Sequence, residues 1–305
     1  MKNKQQRIGV IMGGTSAERE VSLRTGAAIV KALEECGYTV VAIDADKTLP
    51  AQLIEKQIDV VFLAVHGRFG EDGTIQGMLE LMQIPYTGSG VLASALAIDK
   101  AVTKRMVAQD GVTTPAATLV DVNSDVDDIV AQCGHFPQVV KPVREGSTLG
   151  IAIANNADEL KQAIAQARDY DRRVLVEDYI DGREVTVSVM NGRALSIIEI
   201  VPESGFYDYT AKYTVGKTRY LVPAPLPESQ YKAIQQAAVA SYASLGCRGA
   251  ARVDFMVTDD NFYFLEVNTI PGMTETSLLP KAAADCGMDF AKLVEGILDD
   301  ASLDR

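Results

Sequence analysis

Over its first third the chain alternates short apolar runs with stretches of helical spacing. Arg7–Met12, Thr39–Asp44 and residues 60–65 read as strands, the last without a polar residue until His66, as a parallel strand covered on both faces should be. Apolar positions recur at helical spacing over residues 21–35 and 75–82. This alternation predicts a small doubly wound parallel sheet whose ligands sit beyond the strand C-termini. Two glycine-rich turns fall there, Gly13-Gly14-Thr15-Ser16-Ala17-Glu18 and His66-Gly67-Arg68-Phe69-Gly70-Glu71-Asp72-Gly73.

A second unit opens with a helix over residues 99–110, ends that helix at Gly111, and runs through strand–helix–strand signals to Val174-Leu175-Val176-Glu177. From about Gly182 the pattern becomes paired strands, 184–190 and 194–201, around the turn Asn191-Gly192. A long helix over 227–245 precedes a second hairpin and two terminal helices. The expected division is residues 1–98, 99–182 and 183–305, an α/β unit followed by two α+β units, with no repeat and no low-complexity segment. Residues 202–220 stand apart as a long polar stretch with Tyr207, Tyr209, Tyr213 and Tyr220. A loop of that length and composition reads as a functional lid.

The C-terminal hairpin carries the sharpest chemical signal. Asp259-Asp260-Asn261 separates two β-branched and aromatic runs. With the hairpin symmetric about Asp260, Asp254 faces Glu266, Arg252 faces Asn268, and all four share one side. Val253, Phe255, Val257, Tyr263, Leu265 and Val267 then point to the buried side. Carboxylates facing each other across a ladder repel, and a hard divalent cation held by oxygen donors reconciles them. The competing reading is a solvated face with an Arg–Asp pair.

Upstream, Gln138-Val-Val-Lys141-Pro is a strand that leads into a loop with Gly146, Ser147, Thr148 and Gly150. Such a loop offers backbone N–H groups and hydroxyls to phosphate oxygens, with Lys141 as a point charge. It lacks a P-loop ending, and a plain hairpin turn is the alternative. The strand ending at Glu177 could present backbone to an adenine edge and Glu184 to a ribose, or it is simply a solvated terminus.

Charge and cysteine usage narrow the class. The 305-residue chain carries a formal net charge of -12, which argues against nucleic acid as its main partner but not against a nucleotide. Cys36, Cys133, Cys247 and Cys286 show no metal-binding or disulfide spacing, so free thiols in a reducing compartment are expected. The N-terminal apolar run is too short for a signal peptide and no stretch is long enough to span a membrane. A cytoplasmic protein is the expectation.

Taken together, these motifs resemble the D-alanine–D-alanine ligases of the ATP-grasp superfamily. Gly13-Gly14-Thr-Ser-Ala-Glu18-Arg-Glu-Val-Ser22 is similar to that family's N-terminal signature, and His66-Gly-Arg-Phe-Gly-Glu-Asp-Gly-Thr-Ile-Gln-Gly77 to a second. Arg252-Val-Asp254, Glu266-Val-Asn268-Thr-Ile-Pro-Gly272-Met-Thr274 and Ser277-Leu278 match a third, and the matches span nearly the whole chain. The resemblance implies ATP-dependent ligation of two D-alanines through a D-alanyl phosphate, for peptidoglycan precursor synthesis, by a homodimer.

It also implies residue roles. Asp254, Glu266 and Asn268 would hold two Mg²⁺ ions, with Mn²⁺ as the alternative metal. Lys100 and Lys141 would contact the ATP phosphates, Glu177 with the backbone at Tyr179 and Ile180 the adenine, and Glu184 the ribose. Glu18, linked to Ser147 and Tyr213, would receive the first D-alanine's ammonium, with His66 nearby. Arg252 and the Gly272 N–H would form the oxyanion site, while Lys212, Ser277 and Leu278 would take the second carboxylate. Thr148 and Ile270 stand where many relatives carry Ser, and neither change removes a required group. Tyr213 favours an amine over a hydroxy acid, because depsipeptide-forming relatives lack it. His135 reads as a surface turn residue, Glu71 and Asp72 as organisers of the turn after His66, and Arg24 and Lys104 as ordinary helix-surface charges.

Overall fold

The computed structural model describes residues 4–203, 216–274 and 277–304. Three parallel strands open the chain, β1 (Arg7–Met12), β2 (Thr39–Asp44) and β3 (Val60–Leu63), in the order β2-β1-β3. The helices α1 (Arg19–Glu35), α2 (Leu49–Glu55), α3 (Thr74–Met82) and α4 (Val91–Ile98) complete this unit. α1 lies close on β1 because Gly26 faces Met12, where a Cβ would come within 2.5 Å of the Met12 Cβ. The turn after β1 takes Gly13 and Gly14 into the left-handed region, at φ +77° and +83°. Ser22 fastens that turn, accepting from the Gly13 N–H at 2.8 Å and donating to the Ala64 carbonyl at 2.7 Å.

Helix α5 (Lys100–Gln109) leads into a second unit of four antiparallel strands ordered β4-β7-β5-β6. These are β4 (Ala117–Val120), β5 (Gln138–Pro142), β6 (Ala152–Ala154) and β7 (Val174–Asp178), with α6 (Val126–Gln132) and α7 (Ala157–Arg168). Val140, Val174 and Val176 pack with Leu160 and Ile164 of α7, each such buried side chain contributing about 1.5–3 kcal/mol.

The third sheet is antiparallel, ordered β10-β9-β8-β11-β12. Its strands are β8 (Arg183–Met190), β9 (Arg193–Pro202), β10 (Thr218–Leu221), β11 (Ala250–Val257) and β12 (Phe262–Asn268). Helix α8 (Glu228–Ser244) covers one face, packing Ile234 and Ala238 against Val185, Val187, Val253 and Phe255. The stretch expected to be loop throughout 202–220 contributes β10 instead, Tyr220 pairing with Ile200, because its last residues extend an existing sheet. Tyr207, Tyr209, Lys212 and Tyr213 lie outside the described residues.

Two terminal helices, α9 (Leu278–Asp285) and α10 (Phe290–Asp299), turn back onto the first sheet. Leu293, Val294 and Ile297 share a core with Ile8, Val10 and Phe62. Arg248 ties the chain end to the same unit, donating to the Ser302 and Gly88 carbonyls at 2.9 and 2.7 Å.

Candidate active site

The hairpin β11–β12 pairs Asp254 with Glu266 and Arg252 with Asn268, the register expected from sequence. A bulge follows between Asp254 and Phe255, so Phe255 faces Phe264. This corrects the expected burial beyond the bulge: Phe264 is fully buried, whereas Tyr263 and Leu265 are only half-buried. The two facing carboxylates are neutralised by separate cations. Arg252 donates from Nε and Nη2 to the two Asp254 oxygens, each at 3.0 Å, and Thr186 adds a hydroxyl at 2.5 Å. Lys100 Nζ lies 3.0 Å from Glu266 Oε2 and donates to the Glu145 carbonyl at 2.7 Å.

The third hairpin donor, the Asn268 Oδ1, accepts from the Ile270 N–H at 3.1 Å and shapes the turn toward Gly272. Among the described residues no cluster of three His, Cys, Asp or Glu could hold a metal. The hairpin set is therefore two carboxylates and a carboxamide, hard oxygen donors that fit a magnesium-type ion shared with phosphates. Arg252 and Lys100 supply the positive charge those carboxylates require in this structure.

Opposite the hairpin stands the loop after β5. Ser147 and Thr148 adopt φ +51° and +64°, left-handed values costing a non-glycine residue about 1–2 kcal/mol each. Non-glycine residues held there mark a loop whose shape is imposed by its surroundings. The Ser147 hydroxyl donates to Glu18, which precedes α1, so the first and second units join across the cleft. Below them His66 is buried, its Nε2 3.3 Å from the Thr25 hydroxyl and its Nδ1 3.9 Å from Glu71. Burial lowers the imidazole pKa, but the hydrogen bond and charge of Glu71, with Glu18 beyond, outweigh it and raise the pKa overall. Glu71 accepts from the Gly67 N–H at 2.7 Å, and Asp72 from Phe69 and Thr74 at 2.9 and 3.0 Å, so both organise the turn as expected.

One cleft gathers these pieces. Glu18, His66, Ser147, Arg252, Gly272, Ser277, Leu278, Lys100, Glu266 and Asn268 all line it. Ser277 precedes α9, where free backbone N–H groups suit a carboxylate. Tyr220, from the stretch expected to be a lid, is carried to the lining by β10. Arg24, expected as an ordinary helix-surface charge, also reaches it one helix turn from Val21 on α1. His135 is exposed and pairs with Asp178 at 3.1 Å.

Other expected positions lie off the cleft lining. Lys141 and Glu177 are buried together, Nζ to Oε2 2.6 Å. Lys104, expected on a helix surface, is instead buried, its Nζ 2.9 Å from the other Glu177 oxygen. The reason is geometric: α5 turns its Ala101, Thr103 and Val107 side inward, and Lys104 shares the face that carries Lys100. Burial raises the Glu177 carboxyl pKa, but the charges of Lys141 and Lys104 outweigh it and lower the pKa overall. Tyr179 and Ile180 are half-buried just past β7, and Glu184 sits on β8 opposite Met256.

A glycine- and serine-bearing loop of one antiparallel unit facing a carboxylate hairpin of another, behind a parallel-sheet unit, defines an ATP-grasp enzyme of the ligase type. Sequence models described as D-ala D-ala ligase N-terminus and C-terminus match residues 49–89 and 111–299, and the chain belongs to that family. A D-alanine--D-alanine ligase of Syntrophotalea carbinolica is 57% identical over 303 residues, covering 98% of this chain and 97% of its own. One from Aquifex aeolicus is 47% identical, covering 96% and 99%. Among solved structures, the Bacillus anthracis D-alanine--D-alanine ligase complexed with ATP superposes with a TM-score of 0.85 at 37% identity, covering 97% of each chain. The VanG D-Ala:D-Ser ligase of Enterococcus faecalis gives 0.83 at 31% identity, covering 96% of this chain and 98% of its own.

Proposed function

We propose that this cleft joins two D-alanines at the expense of ATP, forming D-alanyl-D-alanine, ADP and phosphate for peptidoglycan precursors. The observation that carries the reading is the meeting of Glu18, Ser147 and Arg252, from three units, in one cleft. Glu18 takes the ammonium of the first D-alanine, held in place by Ser147 and by Tyr213, with His66 beside it. The bound carboxylate attacks the γ-phosphorus, the bond to the β-phosphate oxygen breaks, and ADP leaves a D-alanyl phosphate. Lys100 and Lys141 contact the phosphates, Glu177 with the backbone at Tyr179 and Ile180 the adenine, and Glu184 the ribose. Asp254, Glu266 and Asn268 would hold two Mg²⁺ ions, or Mn²⁺, which would neutralise phosphate charge.

The second D-alanine docks its carboxylate at Ser277, Leu278 and Lys212. Its free amine attacks the acyl carbon, the carbonyl oxygen takes up negative charge, and phosphate departs as the amide forms. Arg252 and the Gly272 N–H receive that oxyanion, a contribution of about 3 kcal/mol. The acyl phosphate hydrolyses in water, so the reaction requires that water be excluded from the site during turnover. The free thiols of all four cysteines agree with a cytoplasmic setting, and no helix among the described residues is long and apolar enough to cross a membrane. Leu81 and Leu92, 88% and 68% exposed on the touching helices α3 and α4, suit contact with a second copy in a homodimer, which sedimentation would reveal.

Phosphate release from ATP, with D-alanine, L-alanine and D-lactate offered singly and in pairs, tests the reaction. Release with D-alanine alone is expected; equal release with L-alanine would overturn it. Tyr213→Phe should raise ligation to D-lactate relative to D-alanine, and an unchanged ratio removes Tyr213 from the specificity argument.

A further inference from the structure

Lys104 of α5, Lys141 of β5 and Glu177 of β7 meet away from solvent, at 6%, 6% and 2% exposure. Lys141 holds one carboxylate oxygen at 2.6 Å. Lys104 lies 2.9 Å from the other. One buried carboxylate needs one counter-charge, and a second ammonium there carries its own desolvation cost. That cost is visible in Lys104: burial pulls its pKa down to about 8 against the charge of Glu177, with Lys141 lowering it further and Asp178 opposing. A lysine kept under those conditions calls for a function beyond neutralising Glu177 in the free protein.

Resting on the reading that Lys141 contacts the ATP phosphates, we propose that Lys104 is a positioning residue for nucleotide binding. It holds the Glu177 carboxylate ionised and in place when the phosphates draw the Lys141 ammonium toward themselves. Without Lys104, that shift would strand a fully buried carboxylate with no counter-charge, and the resulting penalty would weaken ATP binding. With Lys104 present, Glu177 keeps a partner throughout, and its orientation toward the adenine is unchanged. The groups facing Lys104 are Glu177 and Asp178 at the end of β7 and Lys141 on β5. Departure of Lys141 and arrival of phosphate charge both favour the ammonium form. The complex therefore keeps a proton that the free protein loses near pH 8, and ATP affinity falls as the pH rises through that value.

Lys104→Met, with Lys141→Met beside it, tests this. Lys104→Met should raise KM for ATP about tenfold or more, leaving KM for D-alanine within about twofold and the fold intact. Calorimetry with β,γ-imido-ATP at about pH 8.5, in two buffers of different ionisation enthalpy, should show proton uptake by the unaltered protein and none by Lys104→Met. If Lys141→Met weakens ATP binding while Lys104→Met does not, the role of Lys104 is wrong and the phosphate role of Lys141 stands. If Lys141→Met leaves ATP binding unchanged, the phosphate reading itself fails. Should Lys104→Met not fold, absence of proton uptake by the unaltered protein overturns the proposal.

Discussion

Glu266 and Glu177 are both paired with lysine ammonium groups, yet the side chain of one is 29% exposed and that of the other 2%. Lys100 holds Glu266 at 3.0 Å on the cleft wall, where water and ligands can replace it. Lys104 and Lys141 hold Glu177 where nothing else can compensate the charge. An ion pair in a cleft can exchange its cation for a metal or a substrate, because solvent limits the cost of the intermediate state. A buried one holds its geometry and resists exchange. The hairpin thus suits chemistry that must rearrange during turnover, and the Glu177 cluster suits holding a shape.

Variants at the two carboxylates should separate these behaviours. Glu266→Gln should lower ADP formation about 10³-fold, near 4 kcal/mol of barrier, with little change in melting temperature. Undiminished turnover would remove Glu266 from the metal set. Glu177→Gln should instead cost about 3 kcal/mol of stability in denaturant unfolding, since it leaves two buried ammonium groups unpaired. Loss below 1 kcal/mol would show that water reaches the cluster. Arg252→Ala should lower turnover about 10²-fold while leaving ATP binding close to that of the unaltered protein. A rise in the KM for ATP alone would place Arg252 on the nucleotide instead.

A smaller effect concerns pH. The folded chain releases the Lys104 proton near pH 8, while the unfolded chain keeps it to the ordinary value of 10.5. Between those values the unfolded state binds more protons, so this group makes folding more favourable as the pH rises. Lys104→Met should flatten that part of the stability profile, measured by thermal melts across the window. A parallel profile in both proteins would show that Lys104 is solvated.

Much of the hairpin was legible because two acids placed opposite each other demand an explanation, and the period of two fixes which residues share their face. The bulge after Asp254 was not legible: one extra residue leaves no mark in an alternating pattern, yet it moves Phe264 into the core in place of Leu265. Lys104 was misread for a different reason. A lysine in a helix reads as solvated, although its spacing of four from Lys100 put it on the same inward face. Residues 218–220 read as loop because their polarity carries no strand signal; only pairing with β9 orders them. The parallel strands were readable from their unbroken apolar runs, whereas their cover of α9 and α10 depends on contacts between opposite ends of the chain.

That distant cover has a consequence for synthesis. Ile8, Val10 and Phe62 leave the ribosome before Leu293, Val294 and Ile297, the α10 residues that help to seal them. The opening sheet, covered early by Ile29 and Leu33 of α1, completes that face only when α10 has been made. Protection of the nascent chain by a holding chaperone, or rapid elongation through the final helices, is what the order of its own core asks of the cell that makes it.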